Sequence, residues 1–318
     1  MTDQIRNLTN QVVYSGYLAT LENVKTGVDK NGCGYLTFRG TIQCGKDATL
    51  TRPFKAYIKA QKRDGTDSEN YARVTKWVNE AVPMTKDKEN ATLVRMVGSL
   101  SANDYVGSDG SLHETNIATM QFFNDFDEFT CALDIEGYIK SISEEERGPE
   151  EDKKPTGRMR MRLIGMDFYH NALDFKNIVI PKELIDDLEE NGYEPGRTAK
   201  MYLNWEVNNN EEPKSKKKGF GQQRTTEGRS FAELVLIGGD VAYDEDDERM
   251  SISNQMAKIM MTERSNRLKE IEEAGYLGNS SNSAKVGSSA SSRSGFGNKG
   301  ASSKKMSPVI DDDSDIPF

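Results

Sequence analysis

The chain has 318 residues, a net charge of −9 and 35% hydrophobic residues. Its length allows two domains of the usual ~100–200 residues, and no apolar run reaches the roughly 18 residues that a membrane span needs. The three cysteines and two histidines have no metal-ligand spacing. We therefore expect reduced, mostly buried thiols and no cofactor, metal or membrane partner. The first residues lack the features of a targeting signal, so we expect a cytoplasmic location.

The two halves of the folded region repeat one order of elements. The first half has strand-like runs VVYSGYLATLENV, CGYLTFRGTIQC and LTRPFKAYIKAQ, a helical DSENYARVTKWVNEAV, and then TLVRMVGSLSANDYV and HETNIATMQFF. The second half has FTCALDIEGYIKSI, GRMRMRLIGMDFY and LDFKNIVIP, a helical PKELIDDLEENG, and then GRTAKMYLNWEV and SFAELVLIGGD. Three strands, a helix and two strands is the order of the five-stranded Greek-key OB barrel, whose loops and strand 2–3 face bind oligonucleotides or oligosaccharides.

We therefore predict a mainly β fold with two tandem OB barrels, at residues 1–126 and 127–243. Residues 124–128 form the predicted joint between them. Residues 143–157, rich in Asp, Glu and Pro, are predicted to be a solvated loop between the first two strands of the second barrel.

The last quarter of the chain differs in character. Residues 244–278 contain an acidic segment and a Met-rich helix that is predicted to end at Gly275 and to dock through its methionines. Residues 279–310 are rich in Gly, Ser and Asn, which predicts a disordered linker spanning about 30 Å. Residues 311–318 read DDDSDIPF. An acidic run of this kind is often only a solvated tail, but a solubility tail does not need an apolar end.

Strand alternation separates the core side chains of the first barrel from those that face outward. Leu36, Phe38 and Phe54 fall on the inner side, and Trp77 of the helix is assigned to the core. The outer side carries tyrosines next to cations, which is the combination that binds single-stranded nucleic acid by base stacking and phosphate contacts. Taken singly, such residues are ordinary exposed side chains. The candidate strand-binding residues here are Tyr35, Arg39, Arg52, Lys55, Tyr57 and Lys59.

The second barrel offers arginines in place of tyrosines. In RMRMRLIG, Met159 and Met161 point to one side, and Arg158, Arg160 and Arg162 point to the other. These cations require either a polyanion or neutralisation by acidic residues of the 143–157 segment. A mobile arm predicted between the last two strands adds Lys216, Lys217, Lys218 and Phe220. Phe168, Tyr169 and His170 are weaker candidates for a stacking patch, and Trp205 is assigned to the core.

Two stretches resemble the bacterial and bacteriophage single-stranded DNA-binding protein family. LVRMVGSLSANDYVGSDGSLHETNIATMQFF, residues 93–123, is similar to the family's fourth strand, Asp-Gly turn and fifth strand, and DDDSDIPF is similar to its acidic C-terminal tip. The resemblance implies a non-enzymatic protein that coats single-stranded DNA in replication, recombination and repair. It further implies that the tip recruits replication and repair proteins. The implied partner-binding residues are Asp311, Asp312, Asp313, Asp315, Ile316, Pro317 and Phe318.

The chain departs from the usual family form by carrying a second barrel and a helix. Family members commonly gain binding sites by forming homo-oligomers, so the oligomeric state stays open. A bacteriophage origin, and thus the host cytoplasm, fits this departure. Two other functions stay open: a single-strand annealing or recombination-mediator protein, and an interaction scaffold that binds no nucleic acid. An enzyme is disfavoured because the acidic runs lack a histidine partner and no nucleotide-binding or nucleophile motif is present.

Overall fold

The computed structural model describes residues 6–62, 64–148, 153–209, 230–247 and 249–283. Strands make up most of its regular structure, which confirms the predicted mainly β fold. The strands are β1 (Asn10–Val28), β2 (Gly34–Cys44), β3 (Leu50–Lys59), β4 (Leu93–Ala102), β5 (Tyr105–Val106), β6 (Leu112–His113), β7 (Asn116–Asn124), β8 (Thr130–Arg147), β9 (Lys154–Met166), β10 (Ala172–Ile180), β11 (Thr198–Asn209) and β12 (Ser230–Gly239). The α-helices are α1 (Glu69–Glu80), α2 (Ile185–Glu190) and α3 (Asn254–Ser283).

The first five long strands close into a barrel, as predicted. Neighbours pair in the order β1, β2, β3, β7 and β4, and β4 returns to β1. The β3–β7 pair is parallel and the others are antiparallel. The barrel closes around alternate side chains such as Leu36, Phe38 and Phe54, which are almost fully buried. The outer side chains of β2 and β3 are therefore held in a fixed register.

Helix α1 covers one end of this barrel. It begins after Ser68, whose hydroxyl accepts a hydrogen bond from the backbone N–H of Tyr71 at 3.2 Å. A serine cap of this type satisfies one of the free amides at the start of a helix. The ring of Trp77 lies 4.6 Å from that of Phe123 and 6.2 Å from that of Phe38. Trp77 thus packs against the core, as its sequence position predicted.

The second half repeats the order of pairings. Its strands β8, β9, β10, β12 and β11 pair in turn, and β11 pairs back with β8. Here β10–β12 is the parallel pair. We call β8, β9, β10, β12 and β11 the second ring. Residues 10–15 of β1 also pair with residues 130–135 of β8, so the barrel and the second ring share one ten-stranded sheet.

The described ends of the 143–157 segment are strands and not part of the loop that its composition predicted. Strand β8 continues to Arg147, and β9 begins at Lys154, with Arg147 opposite Lys154 in register. The prediction failed because the charged side chains lie on strands and pair with one another across the second ring, as described below. Between β4 and β7 the structure adds the short hairpin of β5 and β6, which the sequence analysis did not separate.

Helix α3 docks on strands of the second ring through its methionine-rich side, as predicted. Ile252, Met260 and Ala257 are buried in a cluster with Tyr138, Ile164, Met166 and Ala172. The predicted end of the helix at Gly275 is wrong, because α3 continues to Ser283. Glycine inside a helix costs only about 1 kcal/mol relative to alanine, so one such residue does not by itself end a long helix.

Arg264 joins α3 to both halves of the molecule. Its guanidinium donates a hydrogen bond to the carbonyl of Ala172 at 2.9 Å and pairs with Asp104 at 3.1 Å. Both side chains of the ion pair are almost fully buried. Asp104 lies between β4 of the barrel and β5, and Ala172 begins β10 in the second ring. The buried pair therefore fixes where the helix crosses from one half to the other.

The three cysteines are unpaired, and Cys44 and Cys131 are buried. In the part of the chain that the structure describes, no helix is long and apolar enough to span a bilayer. No group of three or more Asp, Glu, His or Cys side chains is placed to hold a metal ion within those same residues.

Replacing Arg264 by alanine should lower the free energy of unfolding by about 3–5 kcal/mol, because it leaves the buried carboxylate of Asp104 without its ion-pair partner. The matched control is Arg267→Ala, one helical turn further along, where we expect a change under about 1 kcal/mol. Urea unfolding of both variants measures the difference. Equal stability of the two variants would contradict the role of Arg264.

Candidate nucleic-acid interface

The outer sides of β2 and β3 together form an aromatic–cation face. We define it by Tyr35, Arg39, Lys55, Tyr57 and Lys59. In the strand register Tyr35 lies opposite Lys59, and Arg39 lies opposite Lys55. The rings of Tyr35 and Tyr57 stack with their centroids 5.0 Å apart and their planes at 25°. The structure thus brings together five of the six residues predicted on these strands.

A glycine on β1 supports the stacked tyrosines. Gly27 pairs with Tyr35 in the β1–β2 register, and a Cβ atom there would come within 2.6 Å of the Tyr35 ring. Only a residue without a side chain lets the ring lie this close to the neighbouring strand. Gly27 was not predicted from the sequence, although a glycine inside a strand indicates close approach of another group.

Lys55 lies in a partly desolvated position. Burial lowers the pKa of its ammonium group, and the nearby cations Arg39 and Arg267 lower it further, while Asp167 opposes the shift. Arg267 belongs to α3 and Asp167 to the turn between β9 and β10.

Arg52, the sixth candidate, is placed apart from this face. It shares the inward parity of Phe54, and its guanidinium lies 3.6 Å from the centroid of the Trp205 ring. A contact of this kind is a cation–π interaction. Arg52 therefore packs between the barrel and β11. Trp205, assigned to the core by its parity, is partly buried beneath it.

The arginines of β9 are neutralised by carboxylates. Arg158 and Arg160 both pair with Glu145 of β8 and Glu233 of β12, and Arg162 pairs with Asp174 of β10 at 2.6 Å. This is the neutralisation that the sequence analysis weighed, but only Glu145 comes from the 143–157 segment. Strand binding by Arg158, Arg160 and Arg162 stays a prediction, and it requires these carboxylates to be displaced.

Two carboxylates of this network, Glu145 and Glu233, have pKa values below their ordinary range. Burial alone would raise the pKa of Glu145, but hydrogen bonds from Arg158 and Arg160 hold it well below its usual value. Glu233 shows the same balance. Burial raises its pKa, but hydrogen bonds from Asn208, Arg158 and Arg160 lower it, and the net pKa is below its usual value. Both groups stay ionised in the folded protein at mildly acidic pH.

The remaining predicted residues lie outside the described part of the chain. These are Lys216, Lys217, Lys218 and Phe220 of the arm, and Asp311, Asp312, Asp313, Asp315, Ile316, Pro317 and Phe318 of the tip.

The β9–β10 turn, residues 167–171, carries the predicted patch of Phe168, Tyr169 and His170. Phe168 is 38% exposed and meets the Tyr169 ring edge to face at 5.5 Å. The turn is ordered by Asp167, whose carboxylate accepts hydrogen bonds from the backbone N–H groups of Tyr169 and Asn171.

Arg267 was not predicted, although its spacing of three from Arg264 on a helix places both on one side.

Fold and surface together define a barrel protein with a partly exposed aromatic–cation face. A protein-family model described as YorF matches residues 9–274. The chain belongs to the YorF family.

The chain is similar to several solved structures, including the following three. A deletion mutant and the wild type of the single-stranded DNA-binding protein from Thermus aquaticus each cover 76% of this chain and 98% and 97% of their own, at 10% and 9% identity and TM-scores of 0.43 and 0.42. The mitochondrial single-stranded DNA-binding protein Rim1 of S. cerevisiae covers 38% of this chain and 97% of its own, at 11% identity and a TM-score of 0.24. No curated protein matches the sequence.

The free energy of unfolding should fall as the pH is lowered from about 5 toward 2. The pKa values of Glu145 and Glu233 are lower in the folded state than the ~4.3 of an unfolded chain, so acid protonates the unfolded state first. The stabilisation by these two carboxylates is fully present above their pKa in the unfolded chain. It is lost as the pH falls toward their lower pKa in the folded protein. Urea unfolding at a series of pH values measures it.

In the variant Glu145→Gln/Glu233→Gln, the dependence of stability on pH below 5 should be flatter than in the wild type. The control is Glu206→Gln at an exposed position on β11, which should keep the wild-type dependence. If the free energy of unfolding depends on pH in the same way in the wild type, the double variant and the control, the arginine network does not cause the loss of stability in acid.

Proposed function

We propose that the chain is a non-enzymatic protein that binds single-stranded DNA with little sequence preference through its aromatic–cation face. The observation that carries the proposal is the stacked pair of Tyr35 and Tyr57 with Arg39, Lys55 and Lys59 around it. Exposed rings stack bases of any sequence, and the cations next to them contact the phosphates.

The charge of this face supports a polyanionic partner. Among the described residues, no carboxylate forms an ion pair with Arg39 or Lys55, although the protein as a whole carries a net charge of −9. In the second ring, by contrast, the arginines of β9 have carboxylate partners. Uncompensated like charges on facing strands repel each other, and a bound phosphate removes that repulsion.

The proposal extends to the rest of the chain. Residues 1–126 form the strand-binding OB domain, and we propose that the second ring is a second OB barrel at residues 127–243, followed by a helix-bearing segment at 244–278. Residues 279–310 serve as a linker, and residues 311–318 recruit replication, recombination and repair proteins, in a bacterial or bacteriophage setting. The resemblance of residues 93–123 and of the acidic tip to the single-stranded DNA-binding protein family supports this extension.

Replacing Tyr35, Tyr57 and Lys59 together by alanine should weaken binding to a labelled dT oligonucleotide at least about tenfold, because each stacked base contributes about 1–3 kcal/mol. Fluorescence anisotropy measures the dissociation constant. The matched control is Lys200→Ala/Tyr202→Ala on β11, where another cation lies 5.4 Å from a tyrosine ring. If the triple variant and this control have equal dissociation constants, the aromatic–cation face is not the surface that binds the strand.

Removing residues 311–318 should leave affinity for the oligonucleotide equal or make it tighter. The acidic tip mimics phosphate and competes for the same cations, and the competition weakens with salt. The control replaces Ile316, Pro317 and Phe318 by serine, which keeps the charges and should bind as the intact chain does. Weaker binding by the truncated chain would show that the tip contributes to strand binding instead of competing with it.

A further inference from the structure

Two of the three cysteines lie at the junction of the barrel and the second ring. Strand β4 pairs with residues 12–17 of β1 along one edge. A strand has two edges, so β8 and β2 share the other one, where Cys131 faces Tyr14 and Cys44 faces Gly16. Cys44 is the last residue of β2, and Cys131 is the second residue of β8. The end of β2 and the start of β8 thus meet at these two cysteines.

Both cysteine side chains point to the same side of the sheet. Tyr14 and Gly16 are two residues apart on β1, so their cross-strand partners lie on one face. That face is the core, because Cys44 is fully buried and Cys131 is 3% exposed. Two positions along a strand span roughly 6.4–6.8 Å at the usual rise per residue. Disulfides join Cα atoms that are about 4.4–6.8 Å apart, so the two positions lie within reach of one bond.

The backbone after Cys44 passes close to Cys131. Gly45 has a φ of 74°, and a Cβ atom placed on it would lie 3.6 Å from the Cβ atom of Cys131. The two strand ends can therefore be joined with little movement of the backbone. The third cysteine, Cys33, precedes β2 and lies at the opposite end of that strand.

A buried cation lies on the same side of the barrel. Arg52 faces Ile42, two positions before Cys44, in the β2–β3 register, and such diagonal neighbours are about 7–8 Å apart. Among the described residues, the Nε atom and one terminal nitrogen of Arg52 are buried without a hydrogen-bond partner. A cation near a thiol favours the thiolate, which is the nucleophilic form of cysteine.

The two thiols differ in acidity. The thiol of Cys44 and then the charge of Arg52 lower the pKa of Cys131, although burial opposes the shift. The pKa of Cys44 is raised by its interaction with Cys131 and by burial. Cys131 is therefore the thiol that ionises first and attacks an oxidant, whereas Cys44 stays protonated until it attacks Cys131.

We propose that Cys44 and Cys131 form a redox-sensitive dithiol, which a peroxide closes to a disulfide that ties β2 to β8. The thiolate of Cys131 attacks hydrogen peroxide, so that an S–O bond forms, the O–O bond breaks and hydroxide leaves and takes up the proton that the thiol had released. Cys44 then attacks the sulfenic acid on Cys131. The S–S bond forms, and the oxygen leaves as water with the proton of Cys44. The two thiols lose two electrons, and the peroxide is reduced to two waters.

The bond would join the two halves of the molecule covalently. Strand β2 belongs to the barrel and β8 to the second ring, and the bond closes a loop over residues 44–131. Closing a loop of this length restricts the unfolded chain and thereby stabilises the folded one. The inference goes beyond the proposed function and does not depend on it, because neither cysteine belongs to the aromatic–cation face.

The experiment treats the full folded chain with hydrogen peroxide, blocks the remaining thiols with a maleimide under denaturing conditions, and maps the digest by mass spectrometry. We expect linked peptides that contain Cys44 and Cys131, lighter than their sum by two hydrogen masses, with Cys33 outside the link. Dithiothreitol should separate them again. If the two buried thiols stay reduced, or are oxidised separately to sulfinic acids, the proposal is overturned.

The oxidised wild type should unfold at a temperature at least about 5 °C higher than the reduced wild type. The variant Cys33→Ala is the matched control and should keep both the link and the shift, whereas Cys44→Ala should lose both. If Cys44→Ala does not fold, the peptide map of the wild type decides alone. Equal unfolding temperatures for the linked and the reduced wild type would overturn the covalent tie between the two halves.

Discussion

Like charges held opposite each other on neighbouring strands are the constraint on which this account depends. Arg39 and Lys55 occupy facing positions because the inward side chains of β2 and β3 fill the barrel core and fix the register. Sliding either strand by one residue would expose Phe38 and Phe54 and bury the cations, which costs several kcal/mol per side chain. The core thus maintains a surface that is electrostatically unfavourable by itself.

The second ring also carries a row of cations on one strand, but there each cation is paired with a carboxylate. Its three β9 arginines alternate as regularly as the cations of the barrel, but Glu145, Glu233 and Asp174 neutralise them. A charge that is already paired offers little to a phosphate, because the carboxylate must first be displaced. Anion binding by a strand therefore depends less on how many cations it carries than on whether each cation already has a carboxylate partner.

Much of the fold could be predicted because it follows from local periodicity. The alternation in GYLTFRGTI and RPFKAYIKA identified the buried side of β2 and β3, and hence the tyrosines and cations of the outer face. The pairing of Arg158 and Arg160 with Glu233 could not be predicted, because Glu233 is distant in sequence and meets them only through the strand order. The same holds for the buried ion pair of Arg264 with Asp104, two residues that are distant in sequence.

Errors in the sequence analysis also have local causes. The 143–157 segment has the composition of a loop, but its described ends lie on β8 and β9, where Glu145 and Arg147 pair with charged side chains of the second ring. Gly275 is one unfavourable residue in a helix whose earlier turns are anchored by packing.

Photocross-linking of a dT oligonucleotide, followed by mass spectrometry of the peptides, tests most directly where the strand lies. The account predicts cross-links in residues 31–39 and 56–59, which contain Tyr35 and Tyr57. Cross-links confined to residues 154–166, with none on β2 or β3, would contradict it.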